Sequence, residues 1–178
     1  MVNSNRVLTG VVRVAYVHVD KPYAFQNEEP KRQLMVMVKK DDAATLAKIE
    51  RAIKAVKASD RGKQALKGAA KDLTFLRDGD EEDKGPEFRG HYFFNCKSGR
   101  PVALADENGD ELLDASEIYS GCFCRVSFEV FAYNRNGNKG LSTQLRAVKK
   151  VKDGPSMGGF VPVDLDTEFE DDDDDFLG

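Results

Sequence analysis

In the stretch Cys122–Asn134, CFCRVSFEVFAYN, every second residue is small or apolar: Cys122, Cys124, Val126, Phe128, Val130 and Ala132. A strand points alternate side chains to opposite faces, so these six mark a core face. The other face then carries Phe123, Arg125, Ser127, Glu129, Phe131 and Tyr133, three rings and an arginine among polar groups. Rings on a solvent face need something to cover them. His91–Lys97, HYFFNCK, repeats the arrangement, with Tyr92, Phe94 and Cys96 on one side and His91, Phe93, Asn95 and Lys97 on the other. Rings beside cations on one sheet surface suit unpaired nucleic acid: bases stack on rings at ~1–3 kcal/mol each while charge holds the backbone, and no sequence is read. Glu129 has the wrong sign for that face. The competing reading is that the rings pack beneath another element of the chain.

Loop residues extend the candidate surface. Lys21, Tyr23 and Phe25 fall between the first two expected strands, a connection that grips nucleic acid in small barrels. Arg77, Arg89, Arg100, Lys139 and Arg146 fall in loops or on the polar side of the last strand, as phosphate ligands or as solubilising charges. The candidate nucleic-acid-binding set is therefore Lys21, Tyr23, Phe25, Arg77, Arg89, His91, Phe93, Lys97, Arg100, Phe123, Arg125, Phe131, Tyr133, Lys139 and Arg146.

Other chemistries fit less well. Asp106–Glu117, DENGDELLDASE, spaces acids and amides like a calcium loop, but Glu111 stands where the sharp turn needs glycine, and an Asn108-Gly109 turn is the expectation. Cys122 and Cys124 lack the second pair that a structural zinc site requires, so buried inert thiols are expected and no metal site. No phosphate-binding glycine loop, nucleophile elbow or paired-histidine zinc motif occurs. Catalytic residues and cofactors are accordingly expected to be none. A metal-dependent nuclease using the acids from Asp78 to Asp83 is the weakest of the alternatives.

Charge is distributed unevenly. The 178 residues carry 27 Lys and Arg against 31 Asp and Glu, yet nine of the acids and no base lie from Asp164 onward. The preceding 163 residues are thus +5 (27 minus 22) and the tail is −9. Closely packed like charges stay extended, and a tethered anionic tail competes with nucleic acid for any basic groove of its own body. The terminal Asp171, Asp172, Asp173, Asp174, Asp175, Phe176 and Leu177 combine steering acids with an apolar anchor, which suits a partner protein. No apolar run is long enough for a membrane span and the N-terminus lacks a signal-peptide core, so an intracellular protein with no membrane partner is expected.

The elements that must position these groups follow from periodicity. Val7–Val19 is dense in β-branched residues and apolar on both faces, as a long strand curling through a closed or nearly closed sheet would be, with Gly10 at its bend. The next segment, DKPYAFQNEEPK, is expected as a loop because Pro22 and Pro30 deny it a ladder. Arg32–Lys40 reads as a second strand with Leu34, Val36 and Val38 on one face and Gln33, Met35 and Met37 on the other. Leu46, Ile49, Ile53 and Val56 then recur at helical spacing, predicting an amphipathic helix over Asp42–Ala58. Asp60–Asp72 is weaker in helical character and Leu76–Gly90 is a charged loop. HYFFNCK, PVALA, CFCRVSFEVFAYN and LSTQLRAVKKV supply further strands, the last two joined by the turn RNGNKG. The expected fold is mainly β, an OB-fold-like five-stranded barrel with a helix inserted after strand 2. Residues 1–153 form the domain and 154–178 a disordered, flexible acidic tail.

The segments LRDGDEED, FRGHYFFNCKSGRP and EIYSGCFCRVSFEVFAYNRNGNKGLSTQLRAVKKVKDGPSMGG, in this order and before an acidic end, resemble the phage single-stranded DNA-binding proteins, a family formerly described as one of unknown function. The resemblance spans about Val7 to Gly159 and is most specific over Tyr119–Gly154. It implies an OB-fold that coats single-stranded DNA without sequence preference in phage replication or recombination, in the cytoplasm of the infected bacterial host, and no catalysis. It also implies that the tail recruits replication or recombination proteins, although the chain ends Phe176-Leu177-Gly178 where such tails end in Phe. An adaptor or DNA-mimicking protein acting through the tail is the alternative from another class. Monomer or dimer, site size, and DNA against RNA are left open.

Overall fold

The computed structural model of the chain describes residues 5–24, 29–69 and 73–157. It is mainly β. The strands are β1 (Arg6–Leu8), β2 (Val12–Tyr23), β3 (Lys31–Lys39), β4 (Arg77–Asp78), β5 (His91–Ser98), β6 (Ala103–Ala105), β7 (Phe123–Arg135) and β8 (Asn138–Lys152), with helices α1 (Ala43–Ala58) and α2 (Asp60–Ala65) after β3. β7 pairs with β2, β2 with β3, β3 with β5, β5 with β8, and β8 again with β7, so five strands close a ring. Only the short β5–β8 and β6–β8 contacts are parallel. β1 extends the sheet from β7 and β4 from β5.

Inside the ring lie Val12, Val14, Leu34, Val36, Val38, Phe94, Cys96, Cys124, Val126, Phe128 and Val130, the inward halves of the expected alternations. α1 adds Ile49, Ala52, Ile53 and Val56 from one face. Its start is fixed by Asp42, whose carboxylate accepts from the Thr45 amide at 3.2 Å. Ser59 ends α1 and begins α2, its hydroxyl donating to Val56 O at 2.6 Å and accepting from Gly62 N at 3.0 Å. The β7–β8 hairpin turns on Asn136 and Gly137, both at positive φ, as a two-residue primed turn demands.

Three local outcomes differ from expectation. The long first strand is broken at Thr9–Val11 into β1 and β2, and Gly10 N donates to Thr45 Oγ1 at 3.0 Å in the gap. β2 runs on through Pro22 to Tyr23, where a loop was expected; beyond Val14 it has no ladder with β7, so Pro22 removes no donor that the sheet needs. Finally, β2 bulges between Ala15 and His18, with Tyr16 at φ +48. The extra residue resets the alternation: Val12 and Val14 point inward before it, Val17 and Val19 after it, and His18 is turned outward.

A second, smaller core sits on the outward face of β2, β3 and β5. Ala15, Met35, Met37, Phe88 and Phe93 are buried together there, with Met157 packed against them. Phe88 belongs to a single 3-10 turn, Pro86–Phe88, in the charged loop. That loop is held down by Lys40, 2.7 Å from both Asp78 and Asp80, and by Arg77, which chelates Glu82. The segment after β8 is also strapped to the body: Tyr119 Oη donates to Gly154 O at 3.0 Å, Arg13 Nη2 to Pro155 O at 2.7 Å, and Met157 N to Ser120 O at 3.0 Å.

Candidate nucleic-acid interface

The outward face of the ring is continuous in register. His18 on β2 lies opposite Gln33 on β3, Gln33 opposite Lys97 on β5, Lys97 opposite Gln144 on β8, and Gln144 opposite Glu129 on β7. At ~4.8 Å per strand this polar row runs roughly 19 Å along the surface. At one end the imidazole of His18 stacks on the Tyr23 ring, centroids 4.0 Å apart and planes 6° from parallel. Burial lowers the His18 pKa, which favours the neutral ring. Gln33 Nε2 donates to Tyr23 O at 3.3 Å and ties the stack to β3.

Beside the row, from Lys31 on β3 to Phe131 on β7, opens a cleft of about 530 Å³ whose lining includes Lys31, Lys97, Phe131, Tyr133, Arg135 and Gln144. Three cations line it against one acid, Glu29. Phe131 is 39% exposed, an unusual state for phenylalanine in a strand. Tyr133 lies across Gly140, its cross-strand partner: a Cβ there would meet the phenol oxygen at 2.4 Å. Thus Lys97, Phe131 and Tyr133 of the expected set are brought together. Tyr23 and Lys21 are exposed at the end of β2, where Tyr23 pairs with Lys31 of the cleft lining.

The other candidates do not line this cleft among the described residues. Phe93 is buried at 0% exposure, a correction to its expected outward role: it does sit on the outward side of β5, but Phe88 packs edge-on against it at 5.3 Å and the Arg77 guanidinium lies 4.8 Å from its centroid. Arg77 is thereby spent on Glu82 and Phe93. Arg125 is half-buried and donates to Thr9 O at 3.0 Å, Arg146 pairs with Glu129, and Lys139 reaches Lys67 O. Phe123 is half-buried, with Lys152 4.8 Å and Arg13 5.9 Å from its centroid. His91 is half-buried with Nδ1 2.9 Å from Arg89 O, and Arg89 and Arg100 are exposed in loops. Phe25 and the tail residues Asp171–Leu177 lie outside the described residues.

Lys31, Arg135, Gln33, Gln144 and His18 were not singled out from the sequence as site residues. Arg135 continues the alternation of Phe131 and Tyr133 by one step, and Lys31 that of Gln33, so both were within reach of a longer count. His18 was not, because the Tyr16 bulge that turns it outward has no sequence signal.

The acids of the charged loop are engaged in holding it. Lys40 keeps the Asp78 and Asp80 carboxyls below the usual range through direct hydrogen bonds, and Arg77 does the same to Glu82. Asp106 Oδ1 accepts from Asn108 N at 2.9 Å and Asp110 N at 3.0 Å, an Asx turn. Cys122 and Cys124 are buried with sulfurs 3.6 Å apart, and burial pushes the Cys96 thiol up to about 12. No group of three or more metal-ligating side chains occurs among the described residues.

Residues 5–177 match the model of a family described as Enterobacter phage Enc34, ssDNA-binding protein. No curated protein matches the chain. Its fold is similar to that of the single-stranded DNA-binding protein from bacteriophage Enc34 in complex with ssDNA, at 26% identity over 88% of this chain and 91% of that one, TM-score 0.75. The C-terminal truncation of the Enc34 protein gives 27% identity over 87% and 90%, TM-score 0.76. The fold is also similar to that of gp2.5, a single-stranded DNA-binding protein encoded by bacteriophage T7, at 17% identity over 92% and 100%, TM-score 0.60.

Proposed function

The chain belongs to the family of the Enterobacter phage Enc34 single-stranded DNA-binding protein, whose members bind and do not catalyse, and from that premise we propose that it coats single-stranded DNA without sequence selection. The observation that carries this reading is the cleft at the end of β7, where two accessible rings, Phe131 and Tyr133, lie among Lys31, Lys97 and Arg135. Rings accept any base, cations accept any phosphate, and neither distinguishes one sequence from another. Lys97 and Gln144 of the row line this cleft, Gln33 and His18 continue the row past it, and the Tyr23–His18 stack lies on β2, so a strand lying across β7, β8, β5, β3 and β2 meets rings on β7 and again on β2. The closed ring of five strands is read as an OB-type barrel on this view, and the DNA path as its open wall.

The tail, with nine acids against the +5 body, competes with DNA for that wall and offers Phe176-Leu177 to replication or recombination proteins of the phage in the host cytoplasm. The test is a titration of fluorescent oligo-dT with the full chain and with one lacking residues 164–178, at low and high salt. Binding that weakens with salt, and is tighter for the shortened chain at low salt, supports both parts. Equal affinity of the two proteins defeats tail competition while leaving DNA binding standing. No affinity in either protein defeats the reading as a whole, in favour of an adaptor that works through its tail.

A further inference from the structure

Phe131 walls two clefts, not one. Behind it, between α2 and the end of β7, lies a second cleft of about 570 Å³ whose lining includes Asn5, Arg61, Gln64, Phe131 and Asn134. We infer that this second cleft takes the continuation of the same single DNA strand, which crosses the Phe131 ring and is held by a phosphate contact from Arg61 and base or sugar hydrogen bonds from Gln64 and Asn134. This rests on the function proposed above and extends its site onto the helical insertion.

Three observations carry the inference. The first is charge: residues 43–67, the α1–α2 insertion, hold seven bases and two acids, a net +5. That equals the net charge of the whole 163-residue body, so the rest of the body sums to zero and, beyond the local cations of the first cleft, the net excess that draws a polyanion lies in this layer. A layer that served only to cover the core would need Ile49, Ala52, Ile53 and Val56 and no such excess. The second is availability. Arg61 and Gln64 are exposed and have no hydrogen bond or ion pair among the described residues, and Asn134, which accepts from Gly137 N at 3.1 Å, keeps its amide donor. The third is continuity, since the exposed Phe131 ring lines both clefts and sits on the stretch of β7 beyond Glu129 where, among the described residues, β8 is the only paired strand, so a chain can pass over the open β7 edge from one cleft to the other.

The experiment compares the full chain with its Arg61→Ala/Gln64→Ala form, using labelled oligo-dT of about four and about sixteen nucleotides, the extremes of site size for such folds. Both side chains are exposed, and buried Gly62, whose Cβ would sit 1.7 Å from Val56 O, is left untouched. Binding of the long oligonucleotide should fall about tenfold at low salt, and its log–log salt slope should become shallower by about 0.7, one phosphate contact. Binding of the short one should stay within about twofold. Lys63→Ala removes a charge of the same layer that does not line the cleft, and should leave the salt slope for the long oligonucleotide as it is. Unchanged long-strand affinity and slope in the double variant, while Phe131→Ala still weakens binding, would overturn the second cleft and spare the first. Equal losses for both lengths, or a Lys63→Ala effect as large as that of Arg61, would reduce the helical layer to a general field and overturn the inference too. Absence of binding by the unaltered protein would sink both readings together.

Discussion

Replacing Phe131 by alanine separates stacking from charge at a single position. Its ring is 39% exposed, so about three-fifths of its surface is buried in the free protein. Full burial of a phenylalanine is worth ~1.5–3 kcal/mol, and the truncation should therefore cost ~1–2 kcal/mol of folding stability, too little to unfold an ordinary domain. In the complex the same ring supplies one stacking platform of ~1–3 kcal/mol, a loss of roughly 5- to 150-fold in affinity. No cation is removed, so the dependence of log affinity on log salt should keep its slope. Lys31→Ala makes the opposite statement: a smaller loss at high salt and a slope shallower by about 0.7. Fluorescence anisotropy of labelled oligo-dT at several salt concentrations, beside denaturant unfolding of each protein, reads both quantities. The stacking argument is refuted if Phe131→Ala binds within twofold of the parent, or if its loss of affinity arrives through the salt slope.

Other outcomes follow from neighbouring contacts. Gly140→Ala forces the Tyr133 ring off its seat, since the new Cβ would stand 2.6 Å from Cζ; overpacking of ~1–3 kcal/mol in denaturant unfolding, with weaker oligo-dT binding, is expected, and Tyr133→Ala in the same chain should relieve the strain. Arg77→Ala should lower the melting temperature by releasing the loop over Phe93 while leaving the salt slope of DNA binding unaltered, which distinguishes a structural arginine from a phosphate ligand. Lys40 holds Asp78 and Asp80 below the carboxylate range, and they hold it above the ordinary lysine range. Their cluster thus stabilises the fold between about pH 4 and pH 10 and loses that contribution as acids protonate below or lysine deprotonates above. The melting difference between Lys40→Ala and the parent should begin to shrink below about pH 4 and be lost as the pH falls through the depressed range of Asp78 and Asp80, and a constant difference on such acidification would contradict it.

The alternation of small and bulky residues by itself determined much of this protein. A strand has no freedom about which side consecutive residues take, so Cys124, Val126, Phe128 and Val130 had to share one face and Phe131 and Tyr133 the other. Asp42 before a helical period, and Asn136-Gly137 between two strands, likewise fixed the start of α1 and the β7–β8 turn through local hydrogen bonding and backbone sterics. The family resemblance ran through those same segments.

What only the tertiary structure decided is which outward groups stay accessible and which cations meet them. Phe93 and Phe131 have the same outward placement in sequence, yet a loop ending in Phe88 buries the first completely and the second stays 39% exposed. Lys31, Lys97 and Arg135 are far apart in the chain and converge because the ring closes β3, β5, β8 and β7 side by side. The Tyr16 bulge, one residue out of step, decides that His18 joins the surface while Val17 and Val19 fill the core. Period and propensity act within one element, whereas coverage and convergence depend on contacts between different elements.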